Sequence, residues 1–70
     1  MQIKIKEEFI RLDSLLKLAN LVATGGHAKI VIQNGEVKVN GEICTMRGKK
    51  IRKGDFCEFQ GEKIEVTNES

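Results

Sequence analysis

Tryptophan and tyrosine are absent from this sequence, and phenylalanine occurs only three times. Phe9, Phe56 and Phe59 stand in strand-like or flanking apolar contexts, where a core role is expected of them. That scarcity argues against single-stranded nucleic acid held by stacking bases on an aromatic surface. No apolar run approaches the ~20 residues of a membrane-spanning helix. The opening Met1-Gln2-Ile3-Lys4-Ile5-Lys6 alternates instead of forming an apolar signal core. A cytoplasmic location without a membrane partner is therefore expected. The two cysteines, Cys44 and Cys57, lack Cys-x-x-Cys spacing. They are expected as buried free thiols acting as small hydrophobes, not as zinc ligands, and a disulfide is disfavoured in a reducing compartment. There is no nucleophile elbow and no phosphate-binding P-loop, and nothing positions Asp13, Ser14 and His27 as a hydrolytic set. No enzyme, cofactor, metal site or small-molecule substrate is expected.

What is present is a chain of 70 residues, read as one domain spanning 1–70 and expected to be a monomer. A domain of this size buries only about 60% of its unfolded surface, so its stability is modest. With 40% hydrophobic and 31% charged residues the composition is globular. The formal net charge of +2 hides an uneven distribution. Arg47, Lys49, Lys50, Arg52 and Lys53 fall together with no acid between them, while Asp55, Glu58, Glu62, Glu65 and Glu69 follow with only Lys63 among them. A local basic patch can exist on a nearly neutral protein.

Ile3 and Ile5 alternate with polar residues, which predicts a short strand with one buried face. Leu12, Leu15, Leu16 and Ala19, widened by Leu18 and Val22, predict a first helix over Leu12 to Leu21. A second helix starts after Thr24, whose hydroxyl can cap it, and stops at Gly35, which suits the left-handed residue that ends a helix. Ala28, Val31 and Ile32 form its apolar stripe. Val37 to Val39 is a strand. Asn40-Gly41 turns it into a hairpin with Glu42 to Cys44, because both turn positions require positive φ. Thr45 to Lys50 reads as a polar, basic connection leading to an apolar anchor at Ile51. Phe56 to Phe59 and Lys63 to Val66 are strands joined by a turn at Gln60-Gly61, and Thr67 to Ser70 is expected to fray.

The basic residues are spread over several of these elements. Arg11 and Lys17 are assigned to the first helix, Lys29 to the second, Lys38 to the hairpin, and Arg47, Lys49, Lys50, Arg52 and Lys53 to the loop. Cations must lie on the surface in any case, but a clustered basic face is the electrostatic footprint of nucleic-acid binding. Gly25 and Gly26 leave backbone N–H groups at a helix start open to an approaching phosphate. His27, beside them, is placed either to hydrogen-bond a phosphate or to face water.

Taken in order, Arg11-Leu12-Asp13 with Leu15-Leu16, Gly25-Gly26-His27-Ala28-Lys29, Val37-Lys38-Val39-Asn40-Gly41-Glu42, Arg47-Gly48-Lys49-Lys50 and Gly54-Asp55 resemble an S4 RNA-binding domain. The likeness is to the stand-alone, S4-like bacterial proteins of the YbcJ/YaaA type and runs from about Arg11 to Phe59. It implies an α+β fold in which two short antiparallel helices pack on a small, mostly antiparallel sheet, the alpha-L motif. It also implies a ribosome-associated, RNA-binding role toward structured, ribosomal-type RNA. Carried over residue by residue, Arg11, Lys29, Lys38, Arg47, Lys49 and Lys50 are the implied phosphate contacts. The alternative is a protein-interaction adaptor that docks through its acidic C-terminal strand or an exposed sheet edge.

Overall fold

Both helices end in the same way. The structure, a computed structural model, describes residues 1–68. Helix α1 (Leu12–Leu18) is closed by N–H groups of Asn20 and Leu21 that donate to the carbonyls of Lys17 and Leu16, at 3.0 and 3.1 Å. Helix α2 (Gly25–Gln33) is closed identically: Gly35 and Glu36 donate to Ile32 and Val31, each at 3.1 Å. This pair of hydrogen bonds is the Schellman motif, and it needs a left-handed residue just past the cap. Asn20 (φ 62°) and Gly35 (φ 77°) supply it.

The first helix is therefore shorter than the Leu12–Leu21 expected. The apolar stripe continues to Leu21 and Val22, but Asn20 turns the chain, and the stripe is completed from a loop. At the other end of the pair the expectation holds. Thr24 is extended, and its Oγ1 accepts the N–H of His27 at 3.0 Å.

The sheet has the order β1-β7-β6-β3-β4, built from β1 (Gln2–Ile5), β3 (Val37–Val39), β4 (Glu42–Ile43), β6 (Phe56–Phe59) and β7 (Glu62–Asn68). It is antiparallel except that β1 lies parallel to β7. Thr67 and Asn68 do not fray as expected; they pair with Lys4 and Ile5. The remainder of that expectation, at Glu69 and Ser70, lies outside the described residues. The Asn40-Gly41 turn has the positive φ values anticipated, 52° and 87°. It is also held from outside, since the Asn40 side chain accepts the Phe56 N–H at 3.0 Å and donates to Asp55 at 3.2 Å.

A separate two-stranded ribbon was not expected. Phe9–Arg11 forms β2 and Lys50–Arg52 forms β5, antiparallel, with Phe9 opposite Arg52, Ile10 opposite Ile51 and Arg11 opposite Lys50. What reads in sequence as a basic connection thus ends in a strand, and Ile51 is buried as its central residue rather than as an isolated anchor. Arg11 belongs to β2 and only flanks α1 as its N-cap.

One core joins all of this. Leu12, Leu15 and Leu16 of α1 and Ala28, Val31 and Ile32 of α2 meet Val37, Val39, Phe59, Ile64 and Val66 from the sheet and Ile51 from the ribbon. Cys57 lies fully inside it. Burial, with a smaller contribution from the Glu58 charge, pushes its thiol up to about 11, so it stays protonated at neutral pH. Cys44, expected to be buried as well, is only half-buried, with its thiol turned toward the Met46 carbonyl at 3.8 Å.

The left-handed stop after α2 carries a stability prediction. A Cβ on Gly35 would meet Ile43 at 3.6 Å, ordinary contact, so the cost of substitution comes from the backbone. Gly35→Val should lower stability by about 1–2 kcal/mol or more, since left-handed φ opposes any Cβ and β-branching most of all. A denaturation midpoint equal to wild type would contradict this account of the helix end.

Candidate nucleic-acid interface

In an antiparallel pair the side chains of directly opposed residues stand together on one face. In the ribbon, Ile10 and Ile51 point to the core, and this turns Phe9, Arg11, Lys50 and Arg52 outward together. Arg11 and Lys50 are directly opposite, a like-charge pairing that costs energy on an exposed strand pair. Two local contacts offset that cost. The Arg11 guanidinium pairs with Asp13 at 3.1 Å, and the Lys50 ammonium lies 4.9 Å from the centre of the Phe9 ring. Arg52 approaches the same ring at 5.9 Å. Cations are attracted to an aromatic face by its negative quadrupole.

The loop before β5 is tied to the start of α1. Leu12 N–H donates to the Lys49 carbonyl at 2.9 Å, and Asp13 N–H to the Arg47 carbonyl at 3.1 Å. Arg47 and Lys49 are thereby held beside Arg11 at the junction of ribbon and helix, with exposed side chains. Gly48 lies between them, and a Cβ there would sit 3.7 Å from the Arg11 guanidinium. After β5 the chain turns through Lys53 and Gly54 (φ 92°). Asp55 fixes this turn by accepting the Arg52 N–H at 2.8 Å.

The other expected residues occupy two further places. Lys17, Gly25, Gly26, His27 and Lys29 are exposed on the helix pair. The Thr24 cap uses the His27 N–H, and Ala28 N–H bonds the Thr24 carbonyl at 3.1 Å. The N–H groups of Gly25 and Gly26 have no protein partner among the described residues, and an added Cβ at Gly25 would meet nothing within 4 Å. Lys38 lies elsewhere. It stands opposite Glu58 of β6 and shares a shallow groove with Glu36 and Glu58, in acidic company.

Two of the three phenylalanines expected in the core lie outside it, and Phe56 is only half-buried. Phe9, expected in the core, is 36% exposed and forms part of the basic face. Asp13 lies in the first turn of α1, where an acid suits the helix dipole, and also pairs with Arg11. Phe9-Ile10-Arg11 and Lys50-Ile51-Arg52 match as triplets, each with a central isoleucine between outward residues, but three residues are too few to show a period.

Fold and site together define a small α+β module with a helix pair on a mostly antiparallel sheet and a basic ribbon at its side. The S4 domain model matches residues 3–67, and the chain belongs to the S4 domain family. It is 42% identical over 59 residues to "Probable ribosome maturation protein RlbA" of Bacillus subtilis, covering 84% of this chain and 83% of that protein. It is 38% identical over 61 residues to "Putative RNA-binding protein YbcJ" of Escherichia coli, covering 87% of each. No helix among the described residues is long and apolar enough to cross a membrane.

Proposed function

We propose that this protein binds structured, ribosomal-type RNA by neutralising its phosphates with the ribbon and the loop that precedes it. The observation that carries the proposal is the β2–β5 register, which sets Arg11, Lys50 and Arg52 on one outward face continuous with Arg47 and Lys49. A phosphate between Arg11 and Lys50 removes the like-charge cost of that pairing. Lys53 extends the face at one end. Gly25, Gly26, His27 and Lys29 form a second contact region at the start of α2, where unbonded N–H groups and the helix dipole favour an anion. Lys17 adds to the field of the helix pair. Lys38, opposite Glu58, contributes least. Membership of the S4 family and the names of the two relatives support this reading.

The experiment is a salt titration of binding to ribosomal RNA hairpins. With about four phosphates neutralised, log affinity should fall with log salt at a slope of roughly −2.8 to −3.6. Between about 50 and 200 mM salt the loss should be roughly fifty- to 150-fold. A slope near zero would remove phosphate neutralisation as the mechanism.

A protein partner is the second reading, and one observation favours it. Strand β4 is a free sheet edge with Ile43 and Met46 largely exposed beside it. The acidic strand β7 does not serve this reading as an edge, because it is paired on both sides.

A further inference from the structure

The outward face of the ribbon holds more than charge. Phe9 borders a groove of about 260 Å³ that runs along β1 and the start of β2. Ile10 and Leu18 give it an apolar lining, and Leu18 is 57% exposed. Lys4 and Lys6 stand at its rim, and Lys50 and Arg52 approach the Phe9 ring. The groove has one acid, Glu7, whose carboxylate accepts the Lys6 backbone N–H at 3.2 Å.

An apolar slot with an aromatic side and four cations around it fits one chemistry in particular. A nucleobase is flat, stacks on an aromatic ring whatever its identity, and carries a phosphate on either side. A purely apolar occupant would leave four cations with Glu7 as the one acid in the groove to balance them, and a bare phosphate would leave Phe9, Ile10 and Leu18 exposed to water. We propose that an unpaired nucleotide of the bound RNA stacks on Phe9, with its flanking phosphates on Lys50, Arg52, Lys4 and Lys6. This rests on the RNA-binding reading and adds to it that the RNA presents a bulged or looped-out base next to a helical segment. Lys50 then moves from the ring to the phosphate as the base arrives, so the cation keeps a partner in both states.

The test uses three RNA hairpins of identical stem: fully paired, with a single-nucleotide bulge, and with the same bulge lacking its base. Their affinities for the wild-type chain and for Phe9→Ala and Phe9→Tyr are measured at one salt concentration. Wild type should prefer the bulged hairpin over the abasic one by roughly five- to 150-fold, the range that loss of one base–aromatic stack gives. Phe9→Ala should bind all three alike, and Phe9→Tyr should restore the preference. Thermal melts of both variants check that the fold is intact, and the tyrosine rescue separates stacking from damage to the ribbon. Equal binding of the bulged and abasic hairpins by wild type, or a preference that survives Phe9→Ala, would overturn the inference while leaving phosphate binding in place. Failure of wild type to bind any of the three would instead sink the RNA-binding reading, and this inference with it.

Discussion

Reversing two charges in the loop and ribbon, Lys49→Glu with Lys50→Glu, is expected to weaken RNA binding by tenfold or more at low salt. Both side chains are exposed. The contacts that fix the loop to α1 come from the backbone carbonyls of Arg47 and Lys49, which the substitutions leave in place. Removing two phosphate contacts should also flatten the salt slope by about 1.5–2. The loss should be similar for all RNAs of one shape, since phosphate contacts position a ligand without reading its sequence. Lys63→Glu is the matched control. Lys63 leans on Phe56 at 4.5 Å and lies 3.9 Å from Glu65, in the acidic strand. It should change affinity little. Equal effects of the two variants would mean that net charge, not the ribbon, governs binding.

The second large effect concerns how that ribbon is held. Ile51 is fully buried, and it anchors a three-residue strand whose other two side chains face water. Ile51→Ala should cost about 2–5 kcal/mol, the range for truncating a buried isoleucine where the surroundings cannot collapse. For a chain of this length the total is only about 4–10 kcal/mol. The melting temperature should therefore fall by at least about 10 °C. Ile51→Val, which removes one methylene, should cost about 0.5–1.5 kcal/mol and keep both fold and binding. An alanine variant melting within a few degrees of wild type would mean that the ribbon is not part of the core.

These expectations show which features of the chain can be read locally. Thr24, Gly35 and Asn40-Gly41 act over a few residues through a hydroxyl that accepts an N–H or a backbone that tolerates positive φ, and each sits where the sequence places it. Asn20 follows the same rule as Gly35, but an asparagine inside a continuing apolar stripe does not announce a stop. The ribbon was hidden for a different reason. Phe9–Arg11 and Lys50–Arg52 are too short to show a period, and they find each other only because α1 and the sheet bring distant segments together. The parallel pairing of β1 with β7 is likewise non-local, which is why Thr67 and Asn68 looked like a loose end. The site follows the same division. The basic run from Arg47 to Lys53 was visible as composition, whereas the exposure of Phe9 and the Asp13–Arg11 pair depend on the ribbon. Lys38 was placed among the phosphate contacts by the family resemblance, and in space it stands opposite Glu58 with Glu36 close by.

The most direct measurement is the mapping of backbone amide shifts in the ¹⁵N-labelled protein as a ribosomal RNA hairpin is added. The ribbon and loop, Phe9 to Arg11 and Arg47 to Lys53, should move first and furthest, followed by Gly25 to Lys29, with β7 and Lys38 nearly still. Shifts concentrated at Ile43 and Met46 on the β4 edge, or spread over β7 with the ribbon unmoved, would contradict the account and place the binding surface elsewhere.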